Sequence, residues 1–290
     1  MEYNIELKMK SYLEKPEQIL INDHYQNFKT YGLHKAQLII ADIPYNVGKN
    51  AFGSNPSWYV DGDNKNGESD LANTEFFDTD KNFKPAEFMH FCSKMLKKEP
   101  KEKGQAPAMI VFCAFNQQMY LIELAKKYGL NNYINLIFRK NFSAQVLKAN
   151  MRIVGNCEYA LVFYRDKLPK FNNCGKMVFN CLDWEKDSNK IVKIHPTQKP
   201  IKILKKLIKI FTDEGDIVID PVAGSASTVA ASIKTNRKGY GFEIKKDFFQ
   251  LAKERIRQII EVRKFGYDKT GLSKDKNSLF CDLDKIEANN

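Results

Sequence analysis

None of the six cysteines, at 92, 113, 157, 174, 181 and 281, forms a CxxC pair, and the four histidines are widely spaced. That pattern lacks the ligand spacing of a structural zinc centre and offers no disulfide framework. Cys113 and Cys157 sit inside apolar, strand-like runs. A reduced, intracellular chain without a metal is the expectation. No stretch comes near the ~18 consecutive apolar residues of a membrane helix. The opening MEYNIELKMK lacks the apolar core of a signal peptide. A cytoplasmic protein with no membrane partner follows. There is no internal repeat.

What is present is basic and rich in alternating structure. Lys and Arg number 46 against 35 Asp and Glu, a net charge of +11, and hydrophobic residues make up 43% of the 290 positions. This length suits one large α/β domain better than two independent ones. The excess charge favours a polyanionic partner, although a merely soluble basic protein has the same balance.

Seven runs read as buried strands: QILIN (18–22), AQLIIAD (36–42), AMIVFCA (108–114), YINLIFR (133–139), EYALVFY (158–164), DIVID (216–220) and KGYGFEI (238–244). Their near-continuous β-branched and aromatic content suits a sheet covered on both faces. Between them lie helical patterns at 116–129, 201–211 and 246–264. In IKILKKLIKIF, Ile201, Leu204, Leu207, Ile208 and Phe211 share one face and four lysines the other. The expected architecture is α/β, a doubly wound and mostly parallel seven-stranded sheet with its ligand at the strands' carboxyl ends. Residues 46–80, 141–157 and 167–194 break the rhythm and read as loops. The folded domain is expected over 1–265, with 266–290 a polar, poorly ordered tail.

The run LIIADIPYNVG ends a strand at Asp42, after which Pro44 takes the chain out of the sheet. Asp42, Ile43, Pro44 and Tyr45 therefore project where such sheets bind ligands. An exocyclic aromatic amine is a poor nucleophile, because its lone pair is delocalised into the ring. A carboxylate and a backbone carbonyl accepting its two N–H groups favour the pyramidal, attacking form and stabilise the positive charge that develops on nitrogen. Asp42 and the Ile43 carbonyl have these types at this spacing, and the Tyr45 ring can stack on a base. A strand terminator beside a packed tyrosine has the same sequence.

Residues 214–244 read as strand, tight turn, helix, strand. Asp220 ends the first strand, Gly224 permits close backbone approach, and Ser225 is placed to cap the helix. An anionic group is favoured at that helix N-terminus. Glu243 ends the next strand, 23 residues after Asp220, where an acidic side chain can accept from ribose hydroxyls. A phosphate- or NAD-binding turn has the same outline. HPTQKP at 195–200 precedes the 201–211 helix, and its Thr197 and Lys199 offer a hydroxyl and an ammonium to a carboxylate. A plain capping turn is the alternative.

In their order, these strings resemble the motifs of DNA amino-methyltransferases. ADIPYNVG (41–48) is similar to the catalytic Asp-Pro-Pro-Tyr motif of adenine-N6 and cytosine-N4 enzymes, with Ile43 replacing the first Pro. DPVAGSAST (220–228) is similar to their S-adenosylmethionine (SAM) loop, Asp-Pro-Phe-x-Gly-Ser-Gly, with Val222 for Phe and Ala226 for the second Gly. HPTQKP matches their cofactor-edge motif. The catalytic motif precedes the SAM loop, the circularly permuted order of the β-group, and the resemblance spans roughly 18–260. It implies a Rossmann-like SAM-dependent methyltransferase fold. It implies methyl transfer from SAM to the N6 amine of an adenine flipped out of double-stranded DNA; Asp rather than Ser at the first motif position is what points to adenine. A cytosine-N4 or RNA acceptor, and a catalytically impaired DNA-binding relative, stay open.

The cofactor set implied by the resemblance is Asp23, His195, Thr197, Lys199, Asp220, Pro221, Ala223, Gly224, Ser225, Ala226 and Glu243. In it Asp23 takes the SAM adenine amino group, Glu243 the ribose, and Thr197 with Lys199 the methionine carboxylate. The run NCEYALVFYR (156–165) resembles a late family strand, in which Glu158 is expected to be structural. Homodimers occur in the β-group, which leaves a homodimer open here. Neither a recognition site nor a paired restriction enzyme of a restriction–modification system is legible.

In that arrangement target recognition lies before HPTQKP. Residues 167–194 are short for it, so the loops at 46–80 and 141–157 are expected to share the task. Residues 134–170 carry seven Lys or Arg against two acids, whereas 61–80 carry seven acids against one Lys. Arg139, Lys140, Lys148 and Arg152 are expected to hold phosphates. Asn141, Phe142 and Gln145 are placed to reach base edges or fill the gap left by a flipped base. A solvated basic surface accounts for any one of them equally well.

Overall fold

Each of the seven apolar runs becomes a strand, and three further short strands join them. In chain order they are β1 (Leu20–Ile21), β2 (Leu38–Asp42), β3 (Ala108–Cys113), β4 (Asn132–Arg139), β5 (Gln145–Lys148), β6 (Ile153–Gly155), β7 (Cys157–Tyr164), β8 (Cys181–Asp183), β9 (Ile217–Asp220) and β10 (Lys238–Phe242). The helices are α1 (Glu2–Leu13), α2 (Pro85–Met95), α3 (Gln118–Lys127), α4 (Ile201–Phe211), α5 (Ser227–Lys234) and α6 (Lys246–Phe265). The computed structural model describes residues 2–15, 19–45, 83–141, 145–148, 153–185, 187 and 198–265. The 46–80 loop, the tail beyond 265, and Phe142, Arg152, His195 and Thr197 lie outside the described residues. Of Gln145 and Lys148 only the backbone is described.

The main sheet has the order β1-β10-β9-β2-β3-β7-β4-β8. All neighbours pair in parallel except β7, which runs antiparallel to both β3 and β4. Both faces of the central strands are covered, so the apolar side chains of β2 and β3 enter a core on either side. Leu38 and Ile40 of β2, with Ile110 and Phe112 of β3, pack beneath α1, α4, α5 and α6. Ile39, Ala41, Met109 and Val111 pack on the other face with α2, α3 and the 3₁₀ turn Tyr25–Tyr31. Burial of this two-sided kind explains why the sequence shows continuous apolar runs rather than alternation.

From β2 the chain moves to β3 through α2 on one face. From β9 it moves the opposite way to β10 through α5 on the other face. The order therefore reverses between β9 and β2, the topological switch point at which open α/β sheets hold ligands. Asp42 and Asp220 end the two strands that flank it.

The sheet has eight strands rather than seven. The eighth, β8, lies within 167–194 and pairs with β4 through Ile137↔Cys181 and Phe138↔Leu182. The 141–157 stretch is not a plain loop, since β5 and β6 form an antiparallel ribbon there. Strands of three or four residues, half exposed where side chains are described, carry no apolar run to reveal them. Helices α1 and α2 were also not expected. Pro85 opens α2 in a first-turn position, and Phe88, Met89, Phe91, Cys92 and Met95 fill its buried face. α1 is anchored by Tyr12, whose hydroxyl accepts the Gly239 N–H at 3.0 Å. No described helix is long and apolar enough to cross a membrane.

Candidate active site

The site is assembled at one edge because of strand direction. Parallel β2, β3, β9 and β10 end there, and antiparallel β7 begins there, which brings Glu158 alongside them. Past β2, the Ile43 N–H still bonds the Phe112 carbonyl at 3.2 Å, and Ile43 is buried. The Pro44 carbonyl accepts from Gln117 Nε2 at 2.9 Å, while Gln117 Oε1 accepts the Ala114 N–H at 2.9 Å. The segment after β2 is thus pinned to the turn after β3.

Asp42 faces Lys199, not solvent alone. Lys199 Nζ lies 2.8 Å from Asp42 Oδ2 and 2.9 Å from Glu158 Oε2, and it donates to the Tyr45 hydroxyl at 3.2 Å. Glu158 Oε1 in turn holds the Lys140 ammonium. Asp42 Oδ1 is buried and has no hydrogen-bond partner among the described residues. The rings of Phe112, Tyr45 and Trp184 stand 5.2, 5.3 and 6.0 Å from Lys199 Nζ.

Two carboxylates and two ammonium groups alternate in this cluster. Burial raises the Asp42 pKa above the usual range, opposed by Lys199 and reinforced by Glu158. Burial works against the charge of Lys199, but Asp42 and Glu158 outweigh it and hold the ammonium well above an ordinary lysine. Glu158 is likewise penalised by burial, yet Lys199 and Lys140 keep it below its usual value. Burial pushes the Tyr45 phenol well up, so it stays protonated.

On the other side of the switch point, carboxylates are held by backbone N–H groups and neutral side chains rather than by lysines. Asp220 is buried, accepts the Val222 N–H at 3.1 Å, and is pushed up to about 7 by burial, despite hydrogen bonds from Thr228 and Val222. Glu243 accepts the Gly224 N–H at 2.8 Å and the Lys245 N–H at 2.7 Å. Asp23 accepts from the His24 N–H, Asn27 Nδ2 and the Tyr31 hydroxyl at 2.6, 2.8 and 2.6 Å. Asn22 Nδ2 donates to the Glu243 carbonyl at 2.8 Å and ties the end of β1 to β10.

The loop 221–226 is compact. Ala223 N–H bonds the Phe242 carbonyl, and Ala226 N–H bonds the Ala223 carbonyl. Gly224 has φ +50°. Ala226, also left-handed at φ +54°, is the residue that caps α5, so the cap is not Ser225. The Ser225 hydroxyl instead meets the Ser227 hydroxyl at 2.9 Å. Arg255 of α6 supports the loop by donating to the Ser225 carbonyl at 3.0 Å. Gly241 of β10 is required by proximity, because a Cβ there would lie 2.9 Å from Ala223 Cβ.

A DNA methylase family model matches residues 36–254, the span from just before β2 into α6. The chain belongs to the DNA methylase family. SAM is the methyl donor of that family. The DNA adenine methyltransferase YhdJ of Escherichia coli (strain K12) is 26% identical over 258 residues, covering 82% of each chain. YubD of the same organism, a methylase by name, is 29% identical over 148 residues, which are 51% of this chain and 61% of YubD. The chain thus spans less than two thirds of YubD. The solved complex of M1.HpyAVI with SAM superposes with a TM-score of 0.57 at 21% identity, over 82% of this chain and 98% of that one. At such identity the likeness is one of fold.

Within this methylase edge, two expected assignments change. Lys140 is not a surface phosphate contact: it is only 8% exposed, bonded to Glu158, with its ammonium 4.6 Å from the Trp184 ring centre. It follows β4 where the strand end turns inward. The Lys199 ammonium is engaged by Asp42, Glu158 and Tyr45 rather than offered to a carboxylate ligand. Arg139 is exposed but paired with Asp183 at 2.8 Å, and Asn141 is exposed.

Sequence reasoning set Glu158 aside and overlooked Gln117 and Asp187. Asp187 accepts the Ile201 and Lys202 N–H groups at 2.9 and 3.2 Å and so caps α4. One signal for Glu158 was present: a lone acid at the start of an otherwise apolar strand must find a partner.

Proposed function

We propose that the chain is a SAM-dependent DNA methyltransferase acting on the exocyclic N6 amine of a flipped-out adenine, with Asp42 orienting that amine. The observation that carries this reading is Asp42 Oδ1, buried at the switch point and unpartnered among the described residues. A buried carboxylate oxygen without a donor is costly, and an amine N–H removes that cost. The Ile43 carbonyl, one residue on, is the second acceptor. Together they favour the pyramidal amine and stabilise the charge it acquires. The Tyr45 ring is the stacking surface, held in place by the contacts of its hydroxyl with Lys199 and Glu158.

The residues present fit SAM. Asp23, Glu243 and Asp220 stand at the ends of neighbouring β1, β10 and β9, a negative edge suited to a ligand carrying a sulfonium and an ammonium. Glu243 keeps acceptor capacity for ribose hydroxyls after its two backbone bonds. Asp23 retains less, having three donors already. Pro221, Ala223, Gly224, Ser225 and Ala226 form a loop without bulky side chains, ahead of the α5 N-terminus, which favours an anionic group. Bound SAM supplies the electrophilic methyl group. His195 and Thr197 stay in the proposed set, and Lys199 moves from it to the Asp42 cluster.

Adenine is supported by Asp at the first motif position and by the likeness to YhdJ, a DNA adenine methyltransferase. The family also contains cytosine-N4 enzymes. We read 1–265 as one cytoplasmic catalytic domain whose recognition loops are 46–80, 141–157 and 167–194. The deciding experiment is methyl transfer from labelled SAM to unmethylated mixed-sequence DNA, followed by mass spectrometry of the nucleosides. N6-methyladenine is expected. N4-methylcytosine moves the acceptor, and label in RNA alone moves the substrate class. SAM binding with no transfer to any of them marks an impaired relative.

A further inference from the structure

The Asp42 cluster contains more charge than amine orientation requires. An aspartate facing a single lysine would form a closed pair, and the target amine would have to break it. Here Lys199 Nζ is shared, 2.8 Å from Asp42 Oδ2 and 2.9 Å from Glu158 Oε2. Glu158 is itself fixed from the other side by Lys140. Its backbone is fixed by the antiparallel pairing of β7 between β3 and β4, with Glu158 opposite Phe138. Tyr45 caps the arrangement, 3.2 Å from Lys199 Nζ and 3.4 Å from Glu158 Oε2. The result is a chain of alternating charge, Asp42–Lys199–Glu158–Lys140, with one free oxygen at its Asp42 end.

We propose that Glu158 is a positioning residue for methyl transfer: by holding half of Lys199, it limits that ammonium to one oxygen of Asp42 and leaves the other for the target amine. The inference rests on the role proposed for Asp42. It assigns Lys199 a second duty, because a carboxylate this buried needs a nearby cation to stay ionised. Lys199 keeps Asp42 charged, and Glu158 keeps Lys199 from taking Asp42 entirely.

The groups facing Asp42 are Lys199 from the segment before α4, Tyr45 after β2, Cys113 at the end of β3, Glu158 of β7 and Asp220 of β9. Those facing Glu158 are Lys199, Lys140 and Tyr45. Glu158 raises the Asp42 pKa, and Lys199 and the Tyr45 hydroxyl lower it. Loss of the Lys199 charge therefore moves the acid limb of the rate profile to higher pH, and loss of the Glu158 charge moves it to lower pH.

The experiment is the pH dependence of single-turnover methyl transfer to DNA for wild type, Lys199→Met, Glu158→Gln, Glu158→Asp and Asp42→Ala. Circular dichroism and SAM calorimetry accompany each variant. Lys199→Met is expected to shift the acid limb up by about one pH unit or more. Glu158→Gln is expected to shift it down and to slow transfer about tenfold at neutral pH, as the undivided ammonium competes with the amine. Glu158→Asp, which keeps the charge, restores the limb toward wild type. SAM affinity stays within about twofold throughout. Shifts in the same direction, or an unmoved limb in folded variants, overturn the inference. If Glu158→Gln does not fold, Glu158→Asp decides it: its shorter carboxylate keeps the charge but loosens the hold on Lys199, so slower transfer with the limb near wild type supports the inference, and an unchanged rate overturns it. Turnover retained in Asp42→Ala sinks the underlying reading instead, whatever the other variants do.

Discussion

The carboxyl edge of the sheet has two halves that hold negative charge by different means. On the β9–β10–β1 side, Asp220, Glu243 and Asp23 accept from the backbone N–H groups of Val222, Gly224, Lys245 and His24, with the neutral side chains of Thr228, Asn27 and Tyr31 beside them. On the β2–β3–β7 side, Asp42 and Glu158 are held by the lysine side chains Lys199 and Lys140. Backbone donors are fixed once the strands form, so the first half is a rigid frame. A lysine ammonium on a four-carbon stem can shift, so the second half has exchangeable partners. A methyl donor that occupies the same place every cycle suits the rigid half. A base that enters and leaves, taking the Asp42 oxygen that Lys199 leaves open, suits the half held by side chains.

The largest test of this contrast is Asp42→Ala. Transfer is expected to fall by about 10²–10³-fold or more while SAM affinity stays nearly unchanged. Labelled-methyl incorporation and calorimetry on the same preparation separate the two effects. A parallel loss of SAM binding would merge the halves and end the comparison. Lys140→Met comes next and asks whether this lysine belongs to the buried cluster or to the DNA surface. Removing one partner of a buried ion pair costs about 3–5 kcal/mol, which denaturant unfolding would register. A surface phosphate contact would instead lower the salt slope of DNA binding by about one with stability unchanged. Loss of stability with an unaltered salt slope is the expected pattern.

The rigid half was the more legible one, because its chemistry is local in sequence. Asp220, Gly224 and the strand–turn–helix around them stand within one continuous run, and Glu243 closes the next strand. The α4 stripe of Ile201, Leu204, Leu207, Ile208 and Phe211 is buried as its strong apolar period implied, and Ile203 and Ile210 are buried beside it. The exchangeable half is assembled from four distant places, at 42, 140, 158 and 199, and sequence spacing contains nothing about which ammonium meets which carboxylate. Lys199 therefore read as a cofactor group from its HPTQKP motif, and Lys140 as a phosphate contact from its charge. Burial redirected both. The β5–β6 ribbon and β8 were hidden for another reason: strands of three or four residues are too short to show a hydrophobic run.

Asp220 sharpens the picture of the rigid half through pH. Burial raises its native pKa to about 7, against ~3.9 for an unfolded aspartate. Between about pH 4 and 7 the native state therefore holds a proton that the unfolded chain has released. Its contribution to stability is complete below about pH 4 and is lost as pH rises through 7. Three units correspond to a cost on the order of 3–4 kcal/mol above pH 7. Asp220→Asn keeps an oxygen for the Val222 N–H and removes the titration. The variant is expected to flatten stability across pH 4–7 and to exceed wild type at pH 8 in the absence of SAM. It should bind SAM more weakly, having lost one carboxylate of the negative edge. An unchanged pH slope in urea unfolding would place the proton elsewhere.

Ala226 provides the smallest effect and the finest test of how the loop is held. Its left-handed conformation, φ +54°, costs a residue with a Cβ about 1–2 kcal/mol relative to glycine. The resemblance places glycine at this position. Two terms oppose the gain from Ala226→Gly. The unfolded chain gains about 0.4–1 kcal/mol of conformational freedom, and the site is fully buried, so removing the methyl group leaves a small void worth ~1 kcal/mol. The three terms nearly cancel, and the net change in stability is expected to stay within about 1 kcal/mol, or about 2–4 °C in Tm. Ala226→Val has no such compensation, because a β-branched side chain is strained at this φ and has no space beside α5. A large gain from Ala226→Gly would show that strain dominates packing in the rigid half. A large loss would show that the methyl group is part of the wall that keeps the loop closed against α5.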